Sequence, residues 1–341
     1  MLLTRRGLLL LPFAAAACGG TAGSVQPAGP VDDVEWVLAK LARMREERIW
    51  PNGLRYLWTD AFGVVLLVSL YRALGEERWL DEAKSVVAEV ERVLGRPRGI
   101  RIGEAADRDG QYFHYLAMWL FALARLGAID GRYRTRGLEL AREIHRPFVI
   151  PGRGVIWKMK EDLSGPYPGF GLGAIDAFQG YVAYRTLGES ELAAEIAEMK
   201  ALIDAQYRRL DITQDLGLGM MLWMTHFFPE EEWARFQQPR CLRTLDRMWV
   251  PPGVFCREPR LPEVYFAFTN YGVSVGLQSV GAMPERVAKL DRFFETRRSG
   301  DEYDDDAITH VMACSSRYPG ELLRRHWPES RFTSDAREEH R

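Results

Sequence analysis

The sequence predicts an all-α protein whose helices form an inner ring and an outer ring. Six times an apolar helix ends near a Gly or Pro and a charged helix begins at once, as where Gly75 separates "YRAL" from "EERWLDEAK". The helix before each turn is apolar on nearly every face, as in "GVVLLVSLY". The helix after it keeps its apolar residues on one stripe. Since a helix that is apolar all round must be buried all round, the first kind is predicted to lie inside the second.

Twelve helices are predicted, and outer and inner helices alternate along the chain. They lie at 31–48, 56–74, 77–94, 111–126, 131–147, 174–187, 190–207, 214–228, 230–249, 264–280, 284–297 and 303–317. No segment shows a sustained strand pattern except 148–160, which contains "VIPGRGVIWKM" and predicts a short hairpin inside a long loop.

An inner ring of helices wrapped by an outer ring resembles the six-hairpin (α/α)6 toroid of glycosidase-like proteins. The resemblance is architectural and covers the whole chain after residue 17, in which one barrel domain at 31–330 is followed by a polar tail at 331–341. Solenoids of the ankyrin or TPR type are the alternative, but their repeats are shorter and more regular.

The N-terminus is typical of an export signal. Arg5 and Arg6 precede an apolar run of about ten residues, half of what a membrane-spanning helix needs. Small residues then lead into Cys18, an order that resembles a bacterial lipobox, and "TRRGLLL" resembles a twin-arginine signal. We therefore expect a signal peptide at 1–17, lipidation of Cys18, a flexible tether at 18–30, and anchoring to a membrane at the periplasmic or extracellular face of the cell envelope.

Composition excludes some classes of function. A formal net charge of −2, without a basic stripe, argues against a nucleic-acid partner. The sequence has no cysteine spacing that would indicate a metal site, and it has no glycine-rich phosphate-binding loop that would indicate a cofactor. Apart from Cys18 the cysteines are Cys241, Cys256 and Cys314. Cys241 and Cys256 could form a disulfide in an oxidising compartment, or all three could be free thiols.

Polar residues cluster where the inner helices begin. In such a barrel the inner helices run in one direction, so their N-termini meet at a common opening, here called the mouth. The residues predicted there, in chain order, are Asp60, Asp107, Asp109, His114, Asp176, Asp215, Glu263, Asn270, Asp304, Asp305, Asp306 and His310.

Each of these aspartates has a structural interpretation, because Asp is a preferred residue at helix N-termini. Asp176 and Asp215 differ in that each is embedded among apolar residues, "GAIDAF" and "DLGLGM". A carboxylate there is costly unless it is paired or useful. Carboxylates that converge repel each other, which raises the pKa of one and yields a general acid beside a general base.

The local motifs resemble those of unsaturated glucuronyl and rhamnogalacturonyl hydrolases. "WTDAFG", "AIDAFQGY", "QDLGLGM" and "DGQYFHY" are similar to that family's inner-helix starts. The resemblance implies hydrolysis of a saccharide, in which one carboxyl group protonates the departing oxygen or a substrate double bond and another activates water. The implied catalytic residues are Asp109, Asp176 and Asp215. The residues expected to bind substrate are Trp58, Asp60, Tyr112, His114, Trp157, Asn270, Asp306 and His310.

Two other functions stay open. Sugar 2-epimerases have the same toroid and use paired histidines to move a proton next to a carbonyl, and His114 and His310 could converge at the mouth. His226 is expected at the opposite, closed end of its helix, where its role would be structural. The other alternative is a carbohydrate-binding or scaffold lipoprotein without catalysis.

Overall fold

The computed structural model describes residues 30–250, 255–256, 267–296 and 306–325, and it confirms the all-α class. The described helices are α1 Pro30–Glu46, α2 Leu57–Leu74, α3 Glu77–Leu94, α4 Phe113–Gly127, α5 Gly131–Phe148, α6 Asp176–Leu187, α7 Ala193–Gln206, α8 Asp215–Phe227, α9 Glu232–Trp249, α10 Ala267–Ser279, α11 Pro284–Thr296 and α12 Ala307–Arg317. A 3-10 turn follows at Gly320–Leu322.

The six inner helices close into a ring. Contacts run from α2 to α4, α6, α8, α10 and α12, and from α12 back to α2. The outer helices α3, α5, α7, α9 and α11 each pack on the inner helix that precedes them. The predicted (α/α)6 toroid of six helical hairpins is therefore confirmed.

The two ends of the domain complete the sixth hairpin. α1 packs against α12, the last inner helix that the structure describes, and so fills the outer position beside it. The guanidinium of Arg317 donates to Asp33 between these two helices, and the Trp36 indole N–H donates to Glu295 on α11 at 3.2 Å. The ring thus closes through contacts between distant parts of the chain.

Burial matches the two kinds of helix. In α2 the residues from Leu57 to Leu70 are all buried, whereas α3 buries only one stripe of its surface. Among the described helices, α2 alone is long and apolar enough to cross a membrane, but it is mostly buried in the barrel, as a core helix is. Where α8 crosses α10, a Cβ on Gly219 or Gly276 would lie within 2.5 Å of the facing backbone. Glycine at these two positions permits the close approach.

Four short strands order the loops near the mouth. β2, Val149–Ile150, pairs with β3, Gly154–Val155, which confirms the predicted hairpin. β1, Gln111–Tyr112, pairs with β4, Lys158–Met159, and so ties the start of α4 to the long loop between α5 and α6.

The end of the barrel opposite the mouth is closed by the segment around the 3-10 turn. The Ser69 hydroxyl of α2 accepts from the Glu321 main-chain N–H at 2.8 Å. On α8 the Trp223 indole donates to the Leu322 carbonyl, and a ring nitrogen of His226 lies 2.8 Å from the Leu323 carbonyl. His226 therefore has the structural position that the sequence predicts.

Cys241 and Cys256 are not joined by a disulfide, so the second of the two alternatives, three thiols, is the one that the structure shows. Cys241 and Cys314 are buried, and Cys256 is half-buried. The predicted signal peptide at 1–17, Cys18, nearly all of the tether and the tail at 331–341 lie outside the described residues, as do Glu263, Asp304 and Asp305.

Candidate active site at the barrel mouth

A cavity of about 370 Å³ lies at the N-terminal ends of α2, α4, α6 and α8. We call it the mouth cavity. Its described lining residues are Trp58, His114, Trp157, Leu172, Gly173, Ala174, Ile175, Asp176, Gln179, Asp211, Ile212, Thr213, Gln214, Leu216, Gly217 and Met220. The volume is within the range of small-molecule sites in proteins.

Asp176, the first residue of α6, supplies the buried acid of this cavity. Only 3% of the residue is exposed, and its Oδ1 has no hydrogen-bond partner. Burial raises the pKa of Asp176 to about 8, although main-chain hydrogen bonds from Asp176 itself and from His114 act to lower it. The carboxyl group is therefore mostly protonated at neutral pH, and its ionised form becomes dominant only in mild alkali.

Gly173 makes room for this carboxyl group. A Cβ at position 173 would lie 1.9 Å from Asp176 Oδ2. The main-chain N–H of Gly173 donates to the Val155 carbonyl at 2.9 Å, which holds the glycine in place against the β2–β3 hairpin. The long loop between α5 and α6 thus forms one wall around the Asp176 carboxyl group.

His114, the second residue of α4, lies beside Asp176, with Nδ1 3.8 Å from Asp176 Oδ1. The indole Nε1–H of Trp157 donates to the same Nδ1 at 3.1 Å. Burial lowers the pKa of His114 to about 3, so the ring is neutral at physiological pH. Since Nδ1 accepts a hydrogen bond, the single ring proton is on Nε2.

Aromatic rings surround the imidazole. Tyr112 stacks on Trp157 with ring centroids 5.5 Å apart, and the edge of Tyr115 contacts the His114 ring. The ring centroid of Trp58 lies 5.9 Å from that of His114. Trp157 is 40% exposed at the rim, so its outer edge is open to a ligand. The three aromatic residues that the sequence predicts to bind substrate, Trp58, Tyr112 and Trp157, therefore lie around the same imidazole ring.

Two further polar groups in the lining have no partner. Both amide atoms of Gln179 and the indole Nε1 of Trp58 are buried without a hydrogen bond, and each residue is only 2% exposed. Leaving a buried polar group unpaired costs about 1–3 kcal/mol. A ligand with several hydroxyl groups would satisfy these atoms and Asp176 Oδ1 together.

Asp215 has a different environment from Asp176. Its Oδ2 accepts from the Thr269 hydroxyl at 2.6 Å and the Asn270 amide at 3.2 Å, and its Oδ1 accepts from the Leu216 N–H. Asp215 is not among the described residues that line the mouth cavity. Its side-chain contacts join the start of α8 to α10.

Asp109 also lies outside the cavity lining. It accepts from the Tyr167 hydroxyl at 2.6 Å and from Lys158 Nζ at 3.2 Å. The hydrogen bond from Tyr167 holds the pKa of Asp109 below its usual value. These contacts anchor the loop before α4 to the long loop that carries Trp157.

The remaining predicted acids that the structure describes are Asp60, Asp107 and Asp306. Asp107 is exposed in the turn before α4. Asp60 is buried and binds Arg55 at 3.1 Å and the Trp50 indole at 2.9 Å; burial raises its pKa to about 6. Asp306 is the N-cap of α12 and accepts from the Ile308 N–H. The structure therefore brings one buried carboxyl group, rather than three, to the mouth cavity.

The predicted histidine pair is not brought together in the cavity. His114 lines it, whereas His310 is buried on α12 and is not among the described lining residues. Within the described ranges, no group of three or more His, Cys, Asp or Glu side chains could hold a metal ion.

Sequence reasoning missed Gln179 as a site residue. It lies three residues after Asp176 on α6, a spacing that places both side chains on the same face of the helix. That spacing is visible in "AIDAFQGY", so the signal was present. Gln214 and Asp211 were missed for another reason: they are brought to the cavity by the loop before α8.

Comparison with known proteins yields structural similarity only. No protein-family model matches the chain, and no characterised protein matches it by sequence. The cellobiose 2-epimerase from Spirochaeta thermophila DSM 6192 superposes with a TM-score of 0.52 at 15% identity, covering 81% of this chain and 87% of its own. A D-mannose isomerase superposes with a TM-score of 0.57 at 10% identity, covering 86% of this chain and 99% of its own. The chain thus has the six-hairpin (α/α)6 toroid in common with this epimerase and this isomerase.

Proposed function

We propose that this protein is an enzyme that converts a small saccharide by proton transfer in the mouth cavity. The observation that carries the proposal is the pair formed by Asp176 and His114, whose carboxyl oxygen and ring nitrogen lie 3.8 Å apart beside unpaired polar groups. One member of the pair exchanges its proton near neutral pH, and the other stays neutral.

The two residues take different roles in an aldose–ketose isomerisation. Ionised Asp176 removes the proton from the carbon next to the substrate carbonyl. His114 donates its Nε2–H to the carbonyl oxygen, where negative charge develops. An enediol forms. The deprotonated Nε2 of His114 then takes the proton of the neighbouring hydroxyl group, whose oxygen becomes the new carbonyl, while Asp176 returns its proton to the former carbonyl carbon, so both groups are regenerated. A pKa of about 8 suits this work because a general base is most effective when its pKa is near the working pH.

The geometry favours isomerisation over epimerisation. Inverting a carbon centre requires that the proton leaves from one face and returns to the other, which needs a second acid–base group. His310, the second histidine that an epimerase would use, is not among the described residues lining the cavity. Isomerisation needs a single base on one face. The similarity to a D-mannose isomerase and a cellobiose 2-epimerase supports a sugar as the substrate class.

Glycoside hydrolysis is a second candidate, because Asp176 is protonated at neutral pH, as a general acid must be. The carboxylate that lines the same cavity is Asp211, 75% exposed and 3.5 Å from Arg240. Asp109 and Asp215, the other carboxylates implied by the family resemblance, are bound to neighbouring side chains instead.

One experiment separates the two candidates. The domain 31–341 is incubated with aldoses and ketoses in deuterium oxide and, separately, with intact and unsaturated oligosaccharides. Isomerisation predicts a ketose from an aldose and kcat/KM that rises with pH through about 8, as the base ionises. Hydrolysis predicts new reducing ends and a rate that falls through the same range, as the acid is lost. Activity that survives Asp176→Asn undiminished would exclude both mechanisms, and Asp204→Asn, an exposed change on α7, is the matched control.

The N-terminal sequence supports a further part of the proposal, export and lipidation at Cys18. Expression of the full chain in a bacterial host with a radiolabelled fatty acid should label the wild type and not Cys18→Ala. Replacing Arg5 and Arg6 with Lys should block export if the twin-arginine route is used. Equal labelling of both proteins would reject lipidation at this cysteine.

A further inference from the structure

A second cavity, of about 430 Å³, lies beside the start of α2 and the start of α12. We call it the arginine cavity. Its described lining residues are Glu47, Arg48, Ile49, Leu54, Arg55, Tyr56, Ala105, Arg108, Asp306 and Ala307. The mouth cavity shares none of these residues.

The lining of the arginine cavity contains more cationic than anionic side chains. Glu47 is paired with Arg43 at 2.8 Å, and Arg55 is paired with the buried Asp60. Arg108 reaches Asp306 only at 3.6 Å, a long contact between two partly exposed groups. Arg48 is exposed and makes no ion pair within the part of the chain that the structure describes. The lining therefore has an excess of positive charge.

The two arginines differ in how they are held. The Arg108 guanidinium lies 4.0 Å from the ring centroid of Tyr56, a cation–π contact that fixes its position but leaves its N–H groups available. Arg48 has a left-handed backbone with φ of 56°, which is unfavourable for a residue with a Cβ. Such strain in a turn is tolerated where the surroundings determine the conformation, and here it places a cation on the cavity wall.

Neutral groups complete the lining. Leu54 is 66% exposed at the rim, and Ile49, Ala105 and Ala307 are apolar. Apolar walls strengthen the field of the guanidinium groups, because they lower the local dielectric constant. Tyr56 also separates this cavity from the mouth cavity: its hydroxyl contacts the Tyr115 hydroxyl, and Tyr115 packs on Trp58 at 5.2 Å.

We propose that the arginine cavity binds an oxyanion, the carboxylate or phosphate group of a small ligand, through the guanidinium groups of Arg48 and Arg108. Guanidinium donors match the geometry of both anions, and hydrogen bonds between ionised partners are stronger than neutral ones. The site is separate from the acid–base pair of Asp176 and His114, so it does not depend on the proposed reaction.

Isothermal titration of the domain 31–341 with glucuronate, inorganic phosphate and glucose tests the proposal. The variants are Arg48→Asn and Arg108→Gln, with Arg209→Gln as the control, an exposed change of the same charge in the turn after α7. Asn is well tolerated in a left-handed conformation, so Arg48→Asn should fold at least as well as the wild type.

We expect at least one of the two anions to bind, and each test variant to weaken that binding about tenfold while the control leaves it unchanged. Phosphate binding alone would identify a phosphate site, and glucuronate binding alone would identify a carboxylate site. The proposal is overturned if neither anion binds at tens of millimolar. It is also overturned if binding is the same in the wild type and both test variants, or if glucose binding shows the same losses.

Discussion

The indole Nε1–H of Trp157 donates a 3.1 Å hydrogen bond to Nδ1 of His114. An indole can only donate, so this contact determines which nitrogen of the neutral imidazole carries the proton. The main chain of Trp157 is itself held on both sides, since its N–H donates to the Gly171 carbonyl and its carbonyl accepts from the Phe113 N–H. The orientation of the His114 ring therefore depends on Trp157, a loop residue that is 40% exposed.

Trp157→Phe should impair catalysis more than binding. The phenyl ring keeps the stacking on Tyr112 but cannot donate to His114, so both imidazole tautomers become available. We expect kcat to fall about tenfold, the equivalent of one lost hydrogen bond, with a smaller change in KM. ¹⁵N NMR of the imidazole should show a proton on Nε2 alone in the wild type at pH 5 and mixed tautomers in the variant. Trp36→Phe, which removes an indole donor on the outer surface, is the control, and equal losses in both variants would contradict the role given to Trp157.

The stability of the protein should fall as the pH rises, because of Asp176. Its pKa is raised from 3.8 to about 8 on folding, so the unfolded chain loses this proton first. The contribution is fully favourable below about pH 4 and is lost progressively up to pH 8. The side chain of Asp176→Asn cannot ionise. The difference in the free energy of unfolding between this variant and the wild type should therefore grow, in favour of the variant, by up to about 1.4 kcal/mol for each pH unit in this range. Urea denaturation at pH 4, 6 and 8 measures the difference; a constant difference would show that Asp176 is ionised in the folded state.

Gly173→Ala should displace the acid. The added Cβ would lie 1.9 Å from Asp176 Oδ2, so the carboxyl group must move. A shift of about 1 Å in a reacting group can cost on the order of a hundredfold in rate. Gly171→Ala, two residues earlier in the same loop, is the matched control, because a Cβ there has no atom within 4 Å. Steady-state kinetics and thermal melts of the two variants should differ in rate far more than in Tm, and equal rates would show that the position of this carboxyl group is unimportant.

Asp215→Asn should affect stability more than chemistry. Its carboxylate accepts from Thr269, Asn270 and the Leu216 N–H, and an amide cannot accept from all of them at once. We expect a loss of about 1–2 kcal/mol in the free energy of unfolding. The test is chemical denaturation together with kinetics at a temperature where the variant is folded. A variant as stable as the wild type but without activity would instead identify Asp215 as a catalytic residue.

The fold was predictable because it depends on periodicity. Leu57–Leu70 is buried on every side, whereas α3 buries a single apolar stripe. Any chain that folds into an inner and an outer ring of helices must show this difference in its apolar pattern. The structure adds what periodicity does not contain, such as the packing of α1 on α12. That contact joins opposite ends of the domain.

The site was predictable only in part. Asp176 and Asp215 have similar apolar neighbours in sequence, yet one carboxyl group has an unpaired oxygen at the cavity and the other is hydrogen-bonded to side chains of α10. The difference comes from Thr269 and Asn270, which lie more than fifty residues away in the chain. The role of Trp157 likewise depends on the long loop between α5 and α6, whose main chain is hydrogen-bonded to the start of α4.

The segment around Glu321 and Leu322 closes the end of the barrel opposite the mouth, since its main chain is hydrogen-bonded to α2 and α8. Whatever binds in the mouth cavity must leave by the way it entered, and a polymer cannot be threaded through.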